Sequence, residues 1–276
     1  MSNVEHLGRL VELPILRIVS PGAILGGHEA EVLLPGKEIP EGAKDGDLVE
    51  VFVYLDSEDR PIATTRAPLL VLGEVTFLTV VDVTSFGAFF DYGLDKHLLV
   101  PKGEQTHDLS VGDREPIGLF IDDTGRLAGT MRVSELLHNS FELTLDEWVE
   151  GEAWRKDPEI GVFIIVERSF VGLLPRHEPH QLARGEAGRF RVTRIHPDGR
   201  FELSLRAAAH EQLEDDAATI LTVLARPNAP RFGDRSSPDE LRELFGLSKK
   251  AFKRALGGLL KRGEVTVDQD GWVKKQ

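Results

Sequence analysis

The chain has 276 residues, 41% of them apolar and 29% charged, a composition that fits a globular protein large enough for several domains. It contains no cysteine, which rules out disulfides, thiolate metal sites and a thiol nucleophile. Its 33 basic and 46 acidic side chains leave a net charge of −13, which opposes attraction to phosphate unless basic groups gather in one region.

The charge is uneven along the chain. Residues 1–66 and 67–140 each carry −6, residues 141–209 carry −2, and residues 210–276 carry +1. Electrostatic attraction to nucleic acid is therefore expected in the C-terminal half. The opening MSNVEHLGRL has no basic start followed by a long apolar run, and no apolar run elsewhere is long enough to span a bilayer. A cytoplasmic location with no membrane partner is expected.

An internal repeat organises the first 206 residues. Gly8-Arg9-Leu10 through Pro21-Gly22-Ala23-Ile24 aligns without a gap on Gly73-Glu74-Val75 through Phe86-Gly87-Ala88-Phe89. Both copies reach a Leu-rich run ending in Pro35 and Pro101. Gly46-Asp47 and Gly112-Asp113 follow, then Arg60 and Arg126 in polar turns, then Arg66 and Arg132. A more worn third copy runs from Gly151 through Ile160-Gly161-Val162-Phe163 to Pro175, then Gly185, Arg200 and Arg206.

Period-two apolar alternation broken by turn residues predicts five short strands per copy. In the middle copy they fall at about 73–83, 87–91, 97–101, 115–121 and 126–132. Five strands in so short a segment predict a small closed barrel. Segment 133–150 is expected to hold a short helix and a linker.

Beyond Arg206 the period becomes helical. Leu213, Ala217, Ile220, Leu221 and Leu224 mark one face of a helix over 206–225. After a turn-rich break with Pro227 and Pro230, Ser237, Pro238 and Glu240 form a helix-start signature, and that helix ends at Gly246. Ser248 starts a third helix, which stops at Gly263. Phe252, Ala255, Leu256, Leu259 and Leu260 mark its buried stripe. The Gly257-Gly258 pair weakens the helix and predicts close approach of another element. Two short strands meeting at Asp270-Gly271 end the chain. The expected fold is mostly β with an α/β C-terminal module: three tandem five-stranded barrels over 1–66, 67–140 and 141–209, then a winged-helix module over 210–276.

Two stretches could meet nucleic acid. Lys249, Lys250, Lys253, Arg254, Lys261 and Arg262 place six cations and no anion along the third helix, which suits an element entering a groove; a solvated face is the bland alternative. Phe86 and Phe89 flank a Gly-Ala step in the middle copy, where exposed rings can stack bases. Their counterparts are Pro21 and Ile24 in the first copy, and Ile160 and Phe163 in the third. Arg184, Arg189, Arg191 and Arg194 of the third copy could follow a phosphate backbone. No GxxxxGK loop, GxSxG elbow or HExxH helix occurs. His177-Glu178-Pro179-His180 has the wrong spacing for a metal site and is expected to be a polar loop. No enzyme, cofactor or metal is expected.

SFGAFFDYG followed by LLVP, then Gly-Asp and a Gly-Arg turn, resembles the ribosomal protein S1-type RNA-binding domain, a five-stranded OB-fold barrel. Three such barrels with a winged helix, and the stretch SKKAFKRALGGLLKRGEV, resemble the conserved virulence factor B family of bacterial regulators along essentially the whole chain. The resemblance implies RNA binding, post-transcriptional regulation and no catalysis. It carries an RNA-contacting role onto Phe86 and Phe89. S1-type domains usually place a His at the end of the third strand, where this chain has Pro101, with Pro35 and Pro175 as counterparts. Weak, sequence-tolerant binding of single-stranded RNA shared among modules is the expectation. A duplex-DNA regulator using the third helix, and an acidic protein-interaction adaptor, are the alternatives.

Overall fold

A computed structural model describes residues 6–26, 31–206 and 209–276. The chain forms two compact units, one ending at Leu205 and one beginning at Arg206. The first unit holds three five-stranded barrels. The first barrel comprises β1 (Leu10–Val19), β2 (Gly22–Gly26), β3 (Glu31–Pro35), β4 (Leu48–Leu55) and β5 (Pro61–Thr64). The second comprises β6 (Val75–Val83), β7 (Gly87–Asp91), β8 (Leu98–Pro101), β9 (Arg114–Ile121) and β10 (Leu127–Thr130). The third comprises β11 (Trp148–Asp157), β12 (Gly161–Val166), β13 (Phe170–Pro175), β14 (Ala187–Ile195) and β15 (Phe201–Ser204).

The outer two barrels close through a parallel bridge, Leu33 to Ile62 and Leu173 to Glu202. The middle barrel differs: its sheet runs β10-β9-β6-β7-β8, with no ladder pair between β10 and β8. Side chains join these two edges instead. A Cβ added at Gly129 on β10 would lie 2.7 Å from Val100 Cγ2 and 3.1 Å from Leu98 Cδ2 on β8.

The repeat recurs atom by atom. The glycine of each Gly-Ala or Gly-Val step lies hard against the third strand. A Cβ on Gly22, Gly87 or Gly161 would sit 2.1, 2.5 or 2.1 Å from the carbonyl oxygen of Leu34, Val100 or Leu174. No larger residue fits at such a distance. The first strand of each barrel bulges at the same place, between Ile15 and Arg17, Val80 and Asp82, and Ala153 and Arg155.

The start of the third copy differs from the sequence alignment. The residues equivalent to Gly8 and Gly73 are defined by an N–H donated to the fourth strand, to Val53 and Leu119 respectively. In the third barrel that residue is Asp146, which donates to Val192, and not Gly151. Asp146 has a φ of 66°, beside 75° for Gly8 and 88° for Gly73. Asp is one of the few non-glycine residues that visit this region.

A buried polar pair also recurs, always 26 residues apart. Thr64 Oγ1 donates to Glu38 Oε2 at 2.5 Å, Thr130 Oγ1 to Glu104 Oε2 at 2.6 Å, and Ser204 Oγ to Glu178 Oε2 at 3.0 Å. Each pair fastens the last strand to the turn after the third. Thr130→Val keeps the shape and removes the donor, so it is expected to cost about 1 kcal/mol. Urea unfolding should show a lower midpoint at unchanged slope.

The three barrels of this unit share cores. On β4, Val49, Val51 and Val53 fill the first barrel, while Phe52 faces outward into the core of the second, beside Leu70, Leu78 and Ile117. The second and third barrels meet at Val75, Phe77, Val133, Leu137 and Ile165. This packing explains why the helix expected within 133–150 is a single 3-10 turn, Val133–Glu135. Leu136 and Leu137 are drawn into the junction, and the chain beyond extends towards β11.

The second unit contains α1 (Ala209–Leu224), α2 (Pro238–Phe245), α3 (Lys249–Arg262), β16 (Val265–Val267) and β17 (Val273–Lys275). The expected start of α1 includes residues 207–208, which lie outside the described residues, as does the side chain of Leu213. Ser237 and Glu240 form a reciprocal capping box on α2, and Gly246 and Gly263 end α2 and α3 at φ values of 70° and 73°. The core gathers Phe232, Phe245 and Phe252, with ring centroids 4.7–6.0 Å apart, around Ile220, Leu241 and Leu259. One expectation for α3 is corrected. Leu260 is exposed rather than part of the buried stripe, because it lies at the edge of the arc covered by Phe252, Ala255, Leu256 and Leu259. At Gly257 a Cβ would meet nothing within 4 Å, whereas Gly258 is half-buried.

Candidate nucleic-acid interface

Phe86 sits in the turn before β7 and is 57% exposed. Phe89, on the outward face of β7, is half-buried and meets Phe86 edge-on, with ring centroids 6.0 Å apart and an interplanar angle of 89°. Ala88 and Phe90 alternate with Phe89 and fill the core. The two rings are thus brought together at the surface, as base stacking would require. In the third barrel, Ile160 is exposed and Phe163 half-buried.

The residue paired across the first strand from each platform position differs among the barrels. Arg17 pairs with Ile24, Asp82 with Phe89, and Arg155 with Phe163. Arg155 lies 4.5 Å from the centroid of Phe163 and 5.1 Å from that of Trp154. The third barrel therefore offers a guanidinium over an aromatic pair, a surface on which bases also stack. Sequence reasoning missed Arg155 and Trp154; the signal was the WR pair one strand before Phe163. Arg17 is held by Glu31, with nitrogen and oxygen 2.6 Å apart. The middle barrel instead places an acidic group opposite its rings. Asp82→Arg is accordingly expected to tighten binding of a single-stranded RNA about five- to tenfold at low salt and to steepen its salt dependence by about one phosphate contact; titrations at several salt concentrations measure both.

The arginines of β14 take separate places. Arg189 is exposed, 5.7 Å from the Trp148 ring centroid. Arg191, its side chain only 13% exposed, forms an ion pair with Asp146 and so fixes the turn that opens the third barrel. Arg194 follows a bulge, is exposed, and lies 3.6 Å from Glu202. Arg184 is committed to the junction of the second and third barrels. It grips Glu115 at 2.6 and 3.1 Å and lies 5.2 Å from the centroid of Phe77, which Arg114 also approaches, at 5.3 Å.

On α3, Lys249 Nζ donates to the Ser236 carbonyl at 3.0 Å, Lys253 pairs with Asp234 at 2.7 Å, and Arg262 pairs with Glu264. Lys250, Arg254 and Lys261 remain exposed without an ion pair among the described residues. Arg254 bears on the buried Asp216, whose carboxyl is pushed up by burial against the opposing pull of that guanidinium. Gly233 bridges to Trp272, joining the β16–β17 hairpin to the segment before α2. The sequence had marked that segment only as a break.

Glu178, in the His-Glu-Pro-His loop, serves the pair with Ser204. Among the described residues no cluster of His, Asp or Glu could hold a metal ion, and no helix is long and apolar enough to cross a membrane.

The class of protein defined by this architecture is a tandem array of S1-type barrels with a winged helix, both folds of nucleic-acid-binding type. A family model described as S1 domain matches residues 7–66 and 72–132, and one described as CvfB-like winged helix domain matches residues 218–273. The third barrel lies outside both matches, but its bulge, glycine contact and Ser–Glu pair make it a further copy. The chain is 34% identical over 280 residues to the uncharacterized protein YitL of Bacillus subtilis, covering 96% of this chain and 92% of that protein. It is 28% identical over 291 residues to conserved virulence factor B of Staphylococcus epidermidis, covering 98% and 97%. The chain belongs to the conserved virulence factor B family. A crystal structure of a Streptococcus pneumoniae multidomain protein described as having nucleic acid binding domains aligns over 98% of this chain and 99% of its own, at 26% identity and a TM-score of 0.42.

Proposed function

We propose that this protein binds single-stranded RNA in the cytoplasm and regulates gene expression after transcription. The observation that carries the reading is the exposed Phe86 ring set edge-on to Phe89 on the outer face of β7. Bases stack there without regard to identity. Arg155 over Phe163, with the exposed Arg189 and Arg194, supplies the third barrel's share. Lys250, Arg254 and Lys261 of α3 supply the second unit's share. Each contact is weak, and linkage of the modules raises the affinity of the whole. The regulatory role rests on the family, whose named members include virulence factors.

Competition between a labelled single-stranded RNA and unlabelled duplex DNA, repeated at several salt concentrations, tests the reading. RNA is expected to resist displacement by an equal nucleotide concentration of duplex. Ready displacement by duplex would favour DNA recognition through α3, which the three exposed cations of that helix also suit. Binding of neither nucleic acid at low salt would leave the acidic surface as a protein-docking face.

A further inference from the structure

We propose that a groove between the first and second barrels is a base-binding subsite, continuous with the Phe86–Phe89 platform and completed by Tyr54 of the neighbouring barrel. The inference rests on the proposed binding of single-stranded RNA and names where that strand goes next.

The groove encloses about 490 Å³, within the range of small-ligand sites, about 300–1,000 Å³. Phe89, Leu99 and His97 form its wall on the second barrel, and Tyr54 and Asp59 form its wall on the first. Phe89 belongs both to the platform and to the groove. A strand stacked on Phe86 therefore runs past the mouth of the groove, and its next base has an aromatic-lined recess beside it.

The polar groups inside suit a base edge. The chain has two tyrosines, Tyr54 and Tyr92, and both line this groove. Neither hydroxyl has a hydrogen-bond partner among the described residues. A phenol hydroxyl donates and accepts, so each can meet either kind of group on a base. Burial pushes both phenols up from their ordinary pKa, so both stay protonated at neutral pH.

The cations at the groove are already used, which selects a base over a phosphate as occupant. Lys96 Nζ donates to the carbonyls of Leu55 and Asp56 at 2.9 and 2.8 Å, and Arg126 pairs with Asp59. These bonds tie the β4–β5 turn of the first barrel across to the second and hold the groove in shape before any ligand arrives. Tyr54 is itself braced from behind by Phe52, with ring centroids 6.3 Å apart and an interplanar angle of 20°.

Full-length protein labelled with 3-fluorotyrosine gives two fluorine signals, both reporting on this groove, and the Tyr54→Phe variant assigns them. A short oligouridine or oligoadenosine titrated into it should shift the Tyr54 signal, saturating at the concentration where anisotropy of the labelled RNA saturates. Tyr54→Phe should weaken that RNA about fivefold, the effect of one lost hydrogen bond, while Phe86→Ala weakens binding from outside the groove. If RNA binds and Phe86→Ala weakens it, yet neither fluorine signal moves and Tyr54→Phe binds like the parent, the groove inference is overturned and the platform stands. If no RNA binds at all, both fall together.

Discussion

The double variant Phe86→Ala/Phe89→Ala is expected to lose at least about 30-fold in affinity for single-stranded RNA. Stacking is worth about 1–3 kcal/mol per base, and two rings at the low end correspond to about 2 kcal/mol, with every 1.4 kcal/mol a factor of ten. The low end applies because the third barrel and the winged helix keep hold of the strand. The loss should fall evenly on all four bases, since every base offers a ring face. It should leave the salt dependence unchanged, because stacking releases no counterions. That separates it from Asp82→Arg, which acts beside the same rings through charge. Phe86 is exposed, so Phe86→Ala alone should melt within a degree or two of the parent and still weaken binding. Phe89 is half-buried and will lose some stability, which makes the single Phe86 variant the cleaner measure. Anisotropy with a labelled oligonucleotide reads the result, and equal affinity in parent and double variant would remove the platform.

Much of the architecture was legible because it is written in turn chemistry. The strands of the middle barrel and the ends of α2 and α3 fall within one to three residues of the positions that Gly, Asp, Pro and Ser mark. These residues act locally, and their neighbours in sequence are their neighbours in space. What was hidden depends on contacts between distant segments. Asp146 occupies a left-handed turn without being glycine, so the third copy appeared to begin at Gly151. A short helix is expected around Leu136 and Leu137, but the junction of two barrels takes both leucines and leaves a single 3-10 turn before them. The same limit holds for the candidate site. The alternation of β7 and the Gly-Ala step point to Phe86 and Phe89. Nothing local shows that Asp82 stands across from Phe89, that Arg155 covers Phe163, or that Arg191 is turned inward to Asp146. Those facts follow from register, which a bulge in the first strand and another in β14 shift by one residue.

Phe52→Ala is expected to destabilise the three-barrel unit by about 3–5 kcal/mol, the usual range for removing a buried Phe ring. Phe52 lies on β4 of the first barrel, is fully buried, and points away from that barrel's own core. Its neighbours on the inward face, Val51 and Val53, stay in place when it is cut. The cavity therefore opens between the barrels, against Leu70 and the core of the second. Two consequences distinguish this from an ordinary core mutation. The first and second barrels are joined through this ring and through the bonds of Lys96 and Arg126, so weakening the join should split one cooperative urea transition into two, with a lower apparent slope for each. Phe52→Leu, which keeps most of the apolar volume, should lose much less and retain a single transition. The second consequence reaches the site. Tyr54 loses the ring stacked behind it, so its hydroxyl no longer has a fixed place in the groove. Under conditions where Phe52→Ala is still folded, it should bind RNA more weakly than the parent, although Phe52 touches no ligand itself. A single transition of unchanged slope, with parental RNA affinity, would mean that the Phe52 ring is needed neither to couple the two barrels nor to hold Tyr54 in place.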